Sequence, residues 1–281
     1  MARALRYRAA DEAVVDLASN DYLGLARDPR VVQAGVEALR TWGAGSTGSR
    51  LVTGSTELHG RLERALAEHT GSGAGLVFSS GYLANLGAVT ALAGPGDLVV
   101  SDALNHASVV DACRLSRAEV VVTPHRDVAA VETALARRTS GRALVVTDAV
   151  FSVDGDLAPL AELHTAARRH GAFLMVDEAH ALGVVGDGGR GAAYAVGLAG
   201  EPDVLLTVTL SKSLGSLGGA VLADPVVVDH LVNTARSFIF DTGLAPASAG
   251  AALAALDVLR AEPELATAVR SRAGALAAAA Q

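Results

Sequence analysis

Short apolar runs alternate with longer stretches of helical periodicity along most of the chain, and this alternation constrains the fold more than any other feature. The runs are apolar on both faces, which is typical of buried parallel strands. They are Leu76–Phe78, Leu98–Val100, Glu119–Thr123, Ala143–Thr147, Phe173–Val176, Val204–Val208 and Ala220–Leu222. Helices are predicted between them at about Leu83–Ala93, Ser108–Leu115, Val128–Arg138 and Leu160–His170. The pattern predicts an α/β fold with a mainly parallel sheet and helices on both faces.

The end of the chain has a different pattern, with two predicted helices and no strand. They cover Ala249–Leu259 and about Leu265 to Gln281. We expect an N-terminal segment at 1–40, a large domain at 41–246 and the helical start of a C-terminal domain at 247–281. Because the last helical pattern reaches the final residue without a cap, we expect the C-terminal small domain to be missing.

Composition and charge exclude several classes of protein. Hydrophobic residues make up 51% of the 281 residues, which allows a large buried core and excludes a disordered chain. A net charge of −7 without a long basic run argues against nucleic-acid binding. The single Cys113 excludes an internal disulfide and fits a reducing compartment. No apolar run reaches the ~18 residues that span a bilayer. We expect a soluble, cytoplasmic protein that does not enter membranes.

The polar residues that follow the strands carry the chemistry, since ligands of such sheets bind beyond the carboxyl ends of the strands. Lys212 follows Val204–Val208 and is the only lysine in the chain. A surface lysine is the alternative interpretation. A desolvated lysine amine can form an imine and arginine cannot, so a chain that otherwise uses arginine favours a chemical role for Lys212.

Three further groups follow other predicted strands. Asp177 follows Phe173–Val176, with His180 close behind, although an aspartate there could simply cap a helix. Ser79–Tyr82 opens a predicted helix with small residues, and the N–H groups and dipole of a helix N-terminus bind phosphate. His106 begins another helix at the same edge, where a structural histidine remains the alternative.

Together these groups match the needs of pyridoxal 5′-phosphate (PLP). Its aldehyde needs an amine, its phosphate needs N–H donors, and its ring nitrogen needs a carboxylate that keeps it protonated. The set therefore predicts PLP as the cofactor. A metal is not expected, because His164 and His170 share one predicted helix without a third ligand at useful spacing.

At this point the sequence resembles the α-oxoamine synthase family of fold-type I PLP enzymes. The matching motifs occur in family order and cover about residues 16–246. They are Leu17–Gly24, Gly45–Arg50 through Gly54, Ser79–Tyr82, Asn105–Ser108, Val150–Gly155, Val176–Ala181, Thr209–Lys212 and Ser237–Phe240. The resemblance implies that Lys212 carries the cofactor and moves protons, that Asp177 pairs with the ring nitrogen, and that His106 stacks on the ring.

The resemblance also implies the remaining contacts. His180 and Ser152 would lie near the ring hydroxyl. The N–H groups of Gly81 and Tyr82, with the Thr209 hydroxyl, would hold the phosphate. Two substrate-binding residues are expected, Asn20 and Arg6. The family often has Thr or Ser where this chain has Asp241, so we expect Thr242 or the backbone to reach the phosphate across a dimer interface instead.

The implied reaction is the decarboxylative condensation of L-alanine with pimeloyl-CoA or a pimeloyl-carrier protein, in biotin biosynthesis. The implied assembly is a homodimer with shared active sites. A sister activity that joins glycine to another acyl-CoA is the main alternative, because the motifs are shared. A non-catalytic partner subunit is disfavoured by the presence of Lys212. A nucleotide-binding Rossmann protein is disfavoured because Gly71–Gly75 precedes a strand instead of following one.

Overall fold

One seven-stranded sheet forms the centre of the structure, a computed structural model that describes residues 16, 18–139 and 141–279. The strands are β1 (Ala74–Phe78), β2 (Leu98–Asp102), β3 (Glu119–Thr123), β4 (Ala143–Asp148), β5 (Phe173–Asp177), β6 (Val204–Thr209) and β7 (Gly219–Ala223). Their order across the sheet is β1-β7-β6-β5-β4-β2-β3. Each strand contains its predicted apolar run.

Helices cover both faces of the sheet. They are α1 (Pro29–Trp42), α2 (Glu57–Thr70), α3 (Gly81–Leu92), α4 (Ala107–Ser116), α5 (Val128–Ala136), α6 (Leu160–Arg169), α7 (Ala192–Ala195), α8 (Pro225–Thr234), α9 (Arg236–Ile239), α10 (Pro246–Ala261) and α11 (Glu264–Ala279). Among the described residues, no helix combines the length and the apolar composition that crossing a bilayer requires.

The sheet is parallel except for β7, which runs antiparallel to both β1 and β6. Parallel neighbours need a long crossover, whereas antiparallel neighbours need only a loop. The segment Leu210–Gly218, which carries Lys212, is such a loop and joins β6 directly to β7. The predicted mainly parallel sheet with helices on both faces is confirmed.

The two faces of the sheet bury separate apolar clusters. Along β5, Leu174 and Val176 belong to one cluster and Met175 to the other, because successive strand residues point to opposite faces. Helices α1 and α10 contribute buried residues to the same cluster as Leu174. The predicted division of the chain at residues 40 and 246 stays a prediction.

Candidate active site

A cavity of about 260 Å³ lies beyond the carboxyl ends of β4, β5 and β6, beside the N-terminus of α3. This is the sheet edge at which the sequence analysis expected the ligand. The structure brings seven of the predicted site residues to the wall of this cavity: Gly81, Tyr82, His106, Asp177, His180, Thr209 and Lys212.

Lys212 reaches the cavity from the loop between β6 and β7. Its Nζ lies 2.7 Å from Nε2 of His180. Burial lowers the pKa of the Lys212 amine, while the carboxyl groups of Asp177 and Asp148, when ionised, oppose that shift. Gly215 allows this loop to pack closely against Ala26. Its φ is +58°, and a Cβ at this position would lie 2.4 Å from the backbone nitrogen of Ala26. A lowered amine pKa makes the uncharged nucleophile more available.

Asp177 ends β5 and is almost fully buried in the cavity wall. Its Oδ2 accepts a hydrogen bond from Nδ2 of Asn85 at 2.7 Å, and its Oδ1 accepts one from the backbone N–H of Ala179 at 2.9 Å. These two hydrogen bonds fix the orientation of the Asp177 side chain, with one oxygen held by α3 and the other by the segment after β5.

Asp148 forms a second carboxyl group beside Asp177. The two residues are register partners at the ends of β4 and β5, so their side chains lie on the same face of the sheet. Burial, and then the charge of Asp177, raise the pKa of the Asp148 carboxyl far above its usual range. Its Oδ1 accepts a hydrogen bond from the backbone N–H of His106 at 3.3 Å. One proton on Asp148 therefore lets the buried pair exist without two adjacent charges.

The raised pKa predicts a pH-dependent effect of Asp148→Asn on the cofactor-free chain. A carboxyl whose folded pKa is raised contributes stability that is fully present below its unfolded pKa of about 3.9, and loses it as pH rises through the folded pKa. Asn has no proton to lose. We expect equal free energies of unfolding near pH 4 and a variant more stable at pH 9 by at least ~1.4 kcal/mol, the value of one pKa unit.

Urea unfolding of both chains at pH 4, 7 and 9 measures this difference. Asp229→Asn on the exposed side of α8 is the matched control and should show no pH-dependent difference from the unaltered chain. A free-energy difference for Asp148→Asn that is the same at all three pH values would contradict a raised pKa.

The N-terminus of α3 forms a cradle at one end of the cavity. Gly81 is the first helical residue, so its N–H and that of Tyr82 have no acceptor within the helix. A Cβ at Gly81 would lie 3.1 Å from Cβ of Thr209, and one at Gly219 would lie 2.5 Å from Cα of Gly81. The two glycines thus allow α3, β6 and β7 to approach one another closely, and the phosphate site at this point stays a prediction.

His106 and His180 both border the cavity, but their ring nitrogens have different hydrogen-bond partners. His106 is the N-cap of α4, and its Nδ1 accepts a hydrogen bond from the backbone N–H of Ser108 at 3.2 Å. Burial and the nearby Lys212 lower the pKa of His180 to about 4. His180 is therefore neutral near pH 7, and its second ring nitrogen, Nδ1, contacts the hydroxyl of Tyr22 at 2.6 Å.

The sequence profile of the family described as aminotransferase class I and II matches residues 12–280. The chain belongs to this family. It is 68% identical over 275 residues to a curated protein of Mycobacterium sp. (strain KMS) named 8-amino-7-oxononanoate synthase. That alignment covers 98% of this chain and 72% of the relative.

Two solved structures place the chain among the α-oxoamine synthases of this aminotransferase family. One is a lysine-to-alanine variant of serine palmitoyltransferase from S. paucimobilis with a bound PLP–myriocin aldimine. It has a TM-score of 0.82 and 38% identity, over 86% of this chain and 62% of that one. The other is 8-amino-7-oxononanoate synthase from Francisella tularensis, with a TM-score of 0.75 and 28% identity, over 89% of this chain and 70% of that one. The predicted family and fold type are confirmed.

The cofactor of this aminotransferase-family chain is PLP, and the cavity fits it. An amine, a buried carboxylate and a helix N-terminus line one space, as the aldehyde, ring nitrogen and phosphate require. Two buried polar atoms of the same wall, Oδ1 of Asn85 and Oγ1 of Thr207, have no hydrogen-bond partner. Buried polar atoms without a partner are costly, which indicates a site built for a polar ligand.

Four predicted site residues do not line the cavity. Ser152 lies exposed in the loop after β4, and Thr242 forms an isolated bridge with Ser49. Asn20 is exposed, and its Oδ1 accepts a hydrogen bond from the Tyr22 hydroxyl at 3.1 Å. Arg6 lies outside the described residues. Their roles stay predictions. Asp241, which replaces the hydroxyl residue common in the family, accepts a hydrogen bond from Ser79 at the start of the cradle.

The sequence analysis missed Asn85, Tyr22 and the pairing role of Asp148. Asn85 lies one helical turn after Gly81, and it is the only amide in the otherwise apolar α3. That isolated polar residue near a predicted cradle could have indicated the site. Tyr22 lies in the matching motif Leu17–Gly24, but the sequence did not indicate its partner His180, which is 158 residues away.

A cluster of possible metal ligands and a second cavity, both among the described residues, are weaker candidates for a functional site. His164 does gain the nearby ligand atoms that its helix lacks, from Glu201 and Asp203, all within 4.8 Å of one another. Arg168 pairs with Glu201 at 2.9 Å, however, and its positive charge disfavours a cation there. A larger cavity of about 550 Å³ lies between β3 and α5, and none of the predicted site residues lines it.

Proposed function

We propose that this chain uses PLP to condense L-alanine with a pimeloyl thioester, with loss of CO2, giving 8-amino-7-oxononanoate. The observation that carries the proposal is the contact of 2.7 Å between Nζ of Lys212 and a neutral His180, in a cavity shared with Asp177 and the α3 N-terminus. The 68% identity to a curated 8-amino-7-oxononanoate synthase supports the choice of substrates.

Each site residue has a separate role in the proposed reaction. When bound, PLP withdraws electrons from the α-carbon of the amino acid. The buried amine of Lys212, with its lowered pKa, takes the proton from that carbon and later returns one. Asp177 holds the negative charge that a protonated ring nitrogen requires. Gly81, Tyr82 and Thr209 would hold the phosphate, while His106 would cover the ring from the β2 side of the sheet.

The test compares pairs of an amino acid and an acyl-CoA in the same assay. The chain loaded with PLP is incubated with L-alanine and pimeloyl-CoA, and separately with glycine and acetyl- or succinyl-CoA, while release of the free CoA thiol is measured. We expect the alanine–pimeloyl pair to react at least about tenfold faster than any other, about 1.4 kcal/mol in barrier. Faster turnover with glycine would favour the sister activity.

A different amino-acid substrate, serine, has one specific observation in its favour. The chain is 38% identical to a serine palmitoyltransferase structure and 28% identical to the Francisella tularensis 8-amino-7-oxononanoate synthase structure. Serine with a long-chain acyl-CoA is therefore included in the same assay. A carrier-bound pimeloyl donor is included as well, because the proposal leaves the carrier open.

The assembly and the cellular location are also proposals. Two segments, Gly45–Thr56 and Phe240–Pro246, resemble family segments that reach the partner's cofactor. In them Val52 is 78% exposed and Phe240 is 70% exposed, and these two residues flank the bridge between Ser49 and Thr242. Large exposed apolar side chains in one area favour an interface. We expect a homodimer in the cytoplasm, and sedimentation equilibrium that gives the mass of one chain at micromolar concentration would contradict the dimer.

A further inference from the structure

Four side chains in hydrogen-bond contact form a series that leads from Lys212 to the protein surface. Nζ of Lys212 lies 2.7 Å from Nε2 of His180, and Nδ1 of His180 lies 2.6 Å from Oη of Tyr22. Oη of Tyr22 lies 3.1 Å from Oδ1 of Asn20. Tyr22 therefore contacts two predicted site residues with one hydroxyl oxygen.

The hydrogen bonds that join these four side chains all donate in one direction, from Lys212 toward Asn20. The carbonyl oxygen of Asn20 only accepts, so the hydroxyl of Tyr22 donates its proton to it. The same oxygen then accepts from His180, which places the imidazole proton on Nδ1. The neutral ring leaves a lone pair on Nε2, which accepts from the amine of Lys212. Burial raises the pKa of the Tyr22 hydroxyl, so the donor stays protonated.

The same assignment fixes the amide of Asn20. Because Oδ1 is held by Tyr22, the NH2 group must point away from the phenol. An amide NH2 is a hydrogen-bond donor suited to a carboxylate. The family resemblance implies that Asn20 lies near the carboxylate of the amino-acid substrate.

The segment that carries Tyr22 is folded by local hydrogen bonds and packs against the Lys212 loop. Asp21 accepts hydrogen bonds from the backbone N–H groups of Leu25 at 2.9 Å and Ala26 at 3.2 Å. Ala26 packs against Gly215, where no Cβ would fit. The position of the phenol is therefore set by the backbone, and the hydroxyl is the part that can act on its neighbours.

We propose that Tyr22 is a positioning residue that sets the tautomer of His180 and the orientation of the Asn20 amide. The role rests on the proposed function, in which the cavity binds PLP and an amino acid. With Tyr22 present, the Nε2 lone pair of His180 stays directed into the cavity. Without its hydroxyl, the imidazole proton can move to Nε2 and the amide of Asn20 can rotate.

The test is Tyr22→Phe, with Tyr194→Phe as the matched control. Tyr194 is also partly buried, and its hydroxyl accepts from Arg190 outside the cavity. The first measurement is the nitrogen NMR spectrum of His180 in the cofactor-free chain. We expect one tautomer, protonated on Nδ1, in the unaltered chain and in Tyr194→Phe, and a mixture or the opposite tautomer in Tyr22→Phe.

The second measurement is the Kd of L-alanine for the PLP-loaded chain, from the change in cofactor absorbance. We expect Tyr22→Phe to weaken alanine binding about tenfold and Tyr194→Phe to leave it unchanged. An unchanged tautomer in Tyr22→Phe overturns the role toward His180, and an unchanged Kd overturns the role toward Asn20. If the unaltered chain does not bind PLP, the proposed function fails, while the NMR result still decides the role of Tyr22 toward His180.

Discussion

Lys212→Ala is expected to abolish covalent attachment of PLP to the chain. Lys212 is the only lysine in the sequence, and its amine lies in the cavity, so no other lysine side chain can form an imine with the aldehyde there. The measurement is reduction with borohydride followed by peptide mapping. The unaltered chain should carry one reduced pyridoxyl group at Lys212, and the variant should carry none.

Condensation should fall by at least about 10³-fold in the same variant, because the group that moves the proton at the α-carbon is lost. Lys212→Arg is the matched control for charge, since arginine keeps the positive charge and cannot form the imine. It should fail in the mapping experiment as alanine does. A reduced pyridoxyl group on any other residue of the unaltered chain would overturn the assignment.

Asp177→Asn is expected to leave the fold intact and to slow removal of the α-proton by about 10³- to 10⁴-fold, which corresponds to about 4–5.5 kcal/mol. Asn is nearly isosteric, but it cannot supply the negative charge that holds the ring nitrogen protonated. The measurement is exchange of the α-proton of L-alanine with deuterated solvent, followed by NMR in the PLP-loaded chain.

The geometry of the site adds to this loss. Asn85 and the backbone of Ala179 both donate hydrogen bonds to Asp177, so an amide NH2 at that position would face a donor on one side. Asp229→Asn, on the exposed side of α8, is the control and should exchange the α-proton at the unaltered rate. Exchange within about tenfold of normal in Asp177→Asn would show that the carboxylate does not hold the ring nitrogen protonated.

Local patterns predicted the sheet and its edge well. Each strand was marked by an apolar run, as is typical of strands buried on both faces, although β3 at the edge of the sheet is largely exposed. The strands extend past those runs where polar residues still pair: β2 continues through Ser101 and Asp102, which pair with Val122 and Thr123 of β3. The antiparallel direction of β7 was not predicted, since an apolar run has no direction.

The sequence by itself determined the fold class, the cofactor and the residues that follow strands, including Lys212, Asp177 and His180. The fold class follows from the alternation of strands and helices, and each of these residues closely follows an apolar run. Local sequence patterns were therefore sufficient to find them. Only the tertiary structure decided which side chains meet. It placed Asp148 beside Asp177 through strand order, and it brought Tyr22 within 2.6 Å of His180 across 158 residues of sequence. Such contacts depend on how distant segments pack, and burial at those contacts sets the pKa values on which the chemistry rests.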